Sequence, residues 1–167
     1  GRGPLCGPLV VASCIMNPDY RNDEINDSKK ITEKKREKLY SEIIENALAY
    51  DIEIISPEEI DQLNIYEASR TGMVRALSKL KIKPDYILTD AMKLHQLEDI
   101  PQEALIKGDG KSFNIAASSI LAKVTRDHIM LEYDKKYPQY QLAKHKGYPT
   151  ALHLKLIEQY GVIPEFY

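Results

Sequence analysis

Cysteine is scarce in this sequence, and its two residues, Cys6 and Cys14, show neither a disulfide-framework pattern nor zinc-ligand spacing. They read as reduced thiols, which excludes a disulfide-stapled secreted scaffold and points to a cytoplasmic protein. The four histidines form no HExxH or Cys/His arrangement, so no zinc site is expected. Long hydrophobic runs are missing too. The longest, Leu9 to Met16, is far too short to span a bilayer, and nothing reads as a signal peptide, so no membrane association is expected. Positive charge is not in excess: the net charge is −2 and the pI about 6.1. A polyanionic partner would therefore have to meet local basic clusters, or carboxylates screened by bound cations. No repeat, low-complexity tract or linker interrupts the 167 residues, and 43% apolar with 29% charged content suits one soluble globular domain over 1–167.

What is present alternates between two periodicities. Leu9 to Ile15 is a short, partly β-branched run after a Gly/Pro-punctuated loop and reads as a buried strand. Thr32 can cap a helix whose apolar positions Leu39, Ile43, Ile44 and Leu48 keep helical spacing. Asp51 to Ile55 alternates as a half-buried strand. Pro57 suits a first helical turn, and Asn64 can cap a further helix running to about Leu80. Tyr86 to Asp90 is an apolar strand ending on a carboxylate, and Ala104 to Asp109 repeats that design. From Asn114 a long helix is rich in small residues, Ala116, Ala117, Ser118, Ser119 and Ala122, which let a helix axis lie close to a sheet. Pro138 ends that region, and Thr150 can cap a last helix to Tyr160. Helices alternating with strands predict an α/β layer fold.

Asp90 and Asp109 are the first candidates for chemistry. Each directly follows an apolar strand, and an α/β fold has its functional crevice outside such strand ends. Two carboxylates there can hold magnesium, which prefers oxygen ligands. The competing reading makes each a cap or turn residue, and the spacing leaves both open. Gly110-Lys111-Ser112 resembles part of a P-loop, but position 105 is Leu where that motif needs Gly, so triphosphate binding is rejected. A Lys and a Ser ahead of a helix N-terminus can still touch a phosphate. Gly1-Arg2-Gly3-Pro4 is a loop where backbone can approach a ligand, with Arg2 available for phosphate or carboxylate; a plain turn competes. Lys29-Lys30 and Lys34-Lys35-Arg36 suit a solvated charged face. Lys144-His145-Lys146 differs, because it runs into Gly147-Tyr148-Pro149: a basic loop beside an aromatic can combine phosphate contacts with stacking.

Taken in order, these fragments resemble the type 2 ribonuclease H family. Gly1-Arg2-Gly3-Pro4-Leu5-Cys6-Gly7-Pro8 is similar to its N-terminal loop, and Asp27-Ser28-Lys29-Lys30 to its next signature. Glu59-Ile60-Asp61, Asn64-Ile65, the run from Ile115 to Asp127 and His145-Lys146-Gly147-Tyr148-Pro149-Thr150 continue the match. The resemblance implies a ribonuclease H-like fold, a mixed central sheet flanked by helices. It implies hydrolysis of the RNA strand of RNA–DNA hybrids and cutting 5′ of single ribonucleotides in duplex DNA, as in ribonucleotide excision repair, with two Mg²⁺ or Mn²⁺ ions. Of the family's four carboxylates, the third corresponds to Asp90 and the fourth to Asp109. The type 3 enzymes carry Glu at that fourth place and a different N-terminal loop, which favours type 2. The resemblance also assigns Gly1, Arg2 and Gly3 to the 2′-hydroxyl, Tyr148 to the neighbouring deoxyribose, and Lys29 and Ser112 to phosphates. A monomer is expected.

One departure is large. The family's first two carboxylates form an Asp-Glu pair just upstream of the Gly-Arg-Gly loop, on a central strand, whereas this sequence begins at Gly1 and ends at Tyr167, short of the family's C-terminal tail. The expectation is that the chain is part of a longer active protein and is itself inactive, with the neighbours of a central strand showing open backbone edges. Two other readings stay open: a non-catalytic hybrid-binding fragment, and a different nuclease of the same fold.

Overall fold

In the computed structural model, residues 4–26, 31–90, 92–105, 108, 112–164 and 166–167 are described. Strand β1, Leu9–Met16, pairs antiparallel with β2, Ala47–Ile55, from Leu9 opposite Ile55 to Met16 opposite Ala47, with a register shift between Ile15 and Met16. Helix α1, Glu33–Asn46, lies between them and starts where Thr32 Oγ1 accepts the Lys35 N–H at 3.2 Å. Leu39 and Ile43 are buried as their spacing predicts, but Leu48 is not helical. It sits in β2, 51% exposed. The helix stops at Asn46 because the ladder with β1 claims the chain from Ala47 onward, and Asn17 N–H anchors the junction on Asn46 O at 3.0 Å.

Helix α2, Pro57–Leu63, carries Pro57 in its first turn behind a Ser56 cap, and α3, Ile65–Ser78, is capped by Asn64, whose side chain accepts the Glu67 N–H at 3.0 Å. Strand β3, Ile87–Asp90, pairs parallel with β4, Gln102–Leu105. Their connection is short and, among the described residues, carries a single 3-10 turn, His95–Leu97. Its backbone is tied by the Gln102 side chain, which accepts from Leu94 N–H at 2.7 Å and donates to Leu94 O at 2.9 Å. The sequence predicts this second strand over Ala104 to Asp109. Instead it starts at Gln102, and by Gly108 the chain is already turning into the next helix, with Ser112 N–H on Gly108 O at 2.9 Å.

Helix α4, Phe113–Lys136, is the longest element. Ala116 and Ala117 are wholly buried, and the Ser118 and Ser119 hydroxyls both turn back to Ile115 O at 2.9 Å, which hides their polarity. Alternate residues of β1 serve two cores. Ala12, Cys14 and Met16 pack with α1 and α4, while Leu9 and Val11 pack with Ile55 and Ala68. Both faces are covered, so β1 reads as a continuous apolar run rather than an alternating one. Helices α5, Leu142–His145, and α6, Ala151–Tyr160, build a third core with Cys6, Met130 and Phe166. Among the described residues no helix is long and apolar enough to cross a membrane.

The sheet is mixed in strand direction but, among the described residues, not continuous: β1–β2 and β3–β4 are separate two-stranded pairs. A cleft of about 580 Å³ lies between them, walled by β1 on one side and Tyr86 to Asp90 on the other. The helices hold the pairs apart. Helix α3 packs on β1 and β2 and also sends Met73, Val74 and Leu77 to the core around Ile87.

Gly72 marks how tightly α3 meets β1. An added Cβ would stand 2.8 Å from Val11 Cγ2, and the β-branched valine has little rotamer freedom to yield. Overpacking costs about 1–3 kcal/mol and outweighs the gain of up to about 1 kcal/mol in helix propensity. Gly72→Ala is therefore expected to destabilise by roughly 1–2 kcal/mol in urea unfolding; a stabilised variant would refute this packing.

Candidate active site

Asp90 ends β3 and borders the cleft. Its carboxylate Oδ1 accepts the Gly108 N–H at 3.1 Å, which orients it. The approach is close: a Cβ on Gly108 would fall 3.3 Å from Asp90 Cα and 2.9 Å from Ile115 Cδ1, the movable tip of that side chain. Thr89, buried behind it, donates a short hydrogen bond to Met92 O. Of the other residues singled out from the sequence, Asp109, Lys29 and Gly1, Arg2 and Gly3 lie outside the described residues.

Ser112 is buried and caps α4, its Oγ accepting the Ile115 N–H at 3.3 Å. Two residues on, Asn114 Oδ1 accepts the Met16 N–H at 3.1 Å and fixes the first turn of α4 to the end of β1.

Tyr148 lies on the same cleft as Asp90. Its backbone is gripped from both sides: its N–H reaches His145 O at 2.9 Å, and its carbonyl accepts from His153 Nδ1 at 2.9 Å. The half-buried ring has Lys123 Nζ at 5.6 Å and Arg126 Cζ at 5.7 Å from its centroid. Each such contact is worth about 0.5–1 kcal/mol or more once desolvated. The turn before Tyr148 is not the open basic patch its sequence suggests. His145 is buried and stacked on the wholly buried His153 with centroids 3.9 Å apart, while Lys146 pairs with Glu33 at 3.5 Å.

Sequence reasoning passed over Lys123, Arg126 and His153. Arg126 is buried and binds three carbonyls, and Lys123 pairs with Asp127 at 3.2 Å. The one available signal was the trio Lys123, Arg126 and Asp127 at i, i+3 and i+4, following a first stretch of α4, from Phe113 to Ala122, that carries no charge. Neither thiol suits nucleophilic or ligand chemistry, because burial pushes Cys6 up to about 11 and Cys14 up to about 12.

A hard divalent cation needs oxygen donors, and Asp90 is chemically right for one. Among the described residues no three His, Cys, Asp or Glu side chains converge on a metal position. Asp90 alone is too few.

The His145 contacts fix its protonation. Nε2 faces Tyr140 O at 2.6 Å and must donate, and Nδ1 accepts the Gly147 N–H at 3.0 Å, so the ring is neutral. Burial, helped by the stacked His153, lowers its affinity for a proton below the ordinary value of 6.5. The unfolded chain then binds the proton more readily, so stability is whole above 6.5 and is lost as pH falls from there through the lowered folded value. Asp51, pushed up to about 6 by burial and by Glu53, acts in the opposite sense, its contribution being lost as pH rises through that value. Comparing Tm from about pH 7.5 to pH 5 with that of His145→Gln separates them: the variant is expected to lose the acid-side decline. An unchanged profile would remove His145 from it.

The ribonuclease HII family profile matches residues 1–166. The chain is 51% identical over 164 residues to ribonuclease HII of Desulfitobacterium hafniense (strain DSM 10664 / DCB-2), an alignment covering 98% of this chain and 63% of that protein. It is 53% identical over 163 residues to ribonuclease HII of Mycoplasma mycoides subsp. mycoides SC, covering 98% of this chain and 79% of that one. The crystal structure of ribonuclease H2 from Pyrococcus horikoshii OT3 superposes with a TM-score of 0.81 at 30% identity, over 99% of this chain and 87% of that one. The chain thus spans 63% of the length of relatives such as the Desulfitobacterium protein.

Proposed function

Because this chain belongs to the ribonuclease HII family and has its ribonuclease H-like fold, we propose that the protein hydrolyses the RNA strand of RNA–DNA hybrids and cuts 5′ of single ribonucleotides in duplex DNA. The observation that carries the reading is the sharing of one cleft by an oriented strand-end carboxylate, Asp90, and the half-buried aromatic Tyr148. One end suits a metal-held phosphate and the other a sugar.

In this reading Asp90 and Asp109 are ligands for Mg²⁺ or Mn²⁺. Such ions, when bound, activate water and stabilise the leaving 3′-oxygen. The residues of the chain do the rest. Gly108 holds the Asp90 carboxylate at a fixed angle, so little reorganisation is needed when a cation arrives. Tyr148 packs on the deoxyribose beside the scissile step, its ring held against sliding by the bonds to its own backbone. Gly1, Arg2 and Gly3 read the 2′-hydroxyl, the group that separates RNA from DNA. Lys29 and Ser112 contact phosphates, Ser112 through the start of α4 that it caps.

A second reading is favoured by the separation of β1–β2 from β3–β4 among the described residues. In it, the 167-residue chain binds hybrid duplex without turning it over.

Cleavage of a DNA duplex carrying one ribonucleotide, with Mg²⁺, separates the two when run on this chain and on one extended upstream of Gly1. In the cleaving form Asp90→Asn is expected to lower turnover by more than about a hundredfold while hybrid affinity changes little. Near-normal turnover would take Asp90 out of the site. Equal cleavage of an all-deoxy duplex would instead indicate a different nuclease of the same fold.

A further inference from the structure

Arg126 is 4% exposed, yet its guanidinium faces main-chain carbonyls instead of a carboxylate. Nε donates to Pro8 O at 3.1 Å, Nη2 to Cys6 O at 2.8 Å and Nη1 to Lys146 O at 2.6 Å. Two of these acceptors lie on the loop that leads out of Gly1–Gly3. The third lies on the turn that carries Tyr148, whose ring the guanidinium also approaches. The loops touch directly as well, Leu5 N–H donating to Gly147 O at 2.7 Å. Glycines let both close in. Gly7 and Gly147 have φ of +84° and +87°, and a Cβ on either would lie 3.3 or 3.2 Å from Nη2.

Packing alone does not call for this residue, because burying a charge among neutral carbonyls carries a desolvation penalty that an apolar side chain would not. What a planar fork supplies, and a lysine point charge does not, is several donors in fixed relative directions. Here those directions end on two loops more than a hundred residues apart in sequence.

We propose that Arg126 is a positioning residue that fixes the segment Leu5 to Pro8, which follows the 2′-hydroxyl reader of the proposed function in sequence, against the turn that carries Tyr148, so that 2′-hydroxyl reading and sugar packing engage one and the same dinucleotide step. The inference rests on the proposed function, in which both elements contact the substrate. In this role Arg126 acts through the two loops whose carbonyls it binds. Discrimination therefore depends on it more than fold does.

Fluorescence anisotropy with a duplex containing one ribonucleotide and with its all-deoxy counterpart gives the ratio of affinities. Arg126→Lys, kept well below its Tm, is expected to lower that ratio by roughly five- to tenfold, and by less than about twofold when Tyr148→Ala is already present. An unchanged ratio in folded Arg126→Lys, or effects that simply multiply in the double variant, would overturn the proposal. If Arg126→Lys does not fold, Gly147→Ala keeps the arginine and wedges a methyl 2.9 Å from Cys6 O between the loops. It must lower the ratio too, and an unchanged ratio overturns the proposal equally. A wild-type chain with no ribo/deoxy discrimination would defeat the proposed function instead. Hydrogen exchange then decides for Arg126: the Leu5 amide must exchange at least about tenfold faster in Arg126→Lys while the α4 interior stays protected, and equal exchange refutes the clamp.

Discussion

A helix can approach a sheet only as closely as the side chains between them permit, and α4 meets β1 with Ala116 and Ala117 in the core they share with Ala12, Cys14 and Met16. That close seat carries the other elements with it. One flank of α4 packs with α1 and Met16, its C-terminal half receives α5, α6 and the Phe166 ring, and its first turn is tied to β1 through Asn114. The same first turn follows the Gly108 segment that orients Asp90. Shifting α4 outward by the width of a larger side chain would move the carboxylate and the Tyr148 turn relative to each other, because both are fastened to this helix.

The two strand pairs are held by helices rather than by each other. Helix α3 packs on β1 through Gly72 and on β3 through Met73, Val74 and Leu77. With both helices packed on the pairs, the spacing across the cleft is held by helices, and among the described residues no ladder crosses it. Backbone groups on an unpaired strand edge form hydrogen bonds with water or with another extended segment.

The readable parts of the fold were those governed by neighbours in sequence. Thr32, Ser56–Pro57, Asn64 and Thr150 mark helix starts through contacts two or three residues away, and each start lies where that local chemistry puts it. Leu48 continues the helical spacing of Leu39 and Ile44, but pairing with a strand more than thirty residues earlier overrides it. His145 reads as one of three basic residues, and only the tertiary stack on His153 turns it inward. Arg126 is the extreme case. Its acceptors at Pro8 and Cys6 lie 118 and 120 residues away, beyond any local pattern. In the site itself, Asp90 at a strand end was legible, while its orientation by Gly108 depends on a loop returning from another strand.

Charge gives the cleft its asymmetry. Asp90 stands on one wall, and Lys123 and Arg126 reach the same cleft from α4 near Tyr148. A nucleic-acid backbone meeting a carboxylate would be repelled unless cations lay between, whereas at the lysine end attraction needs no ion. A chain of net charge −2 has no general affinity for a polyanion to fall back on. In the proposed reading, nucleic acid and divalent cation would favour each other's binding, since each neutralises what the other leaves exposed. By linkage that coupling is reciprocal.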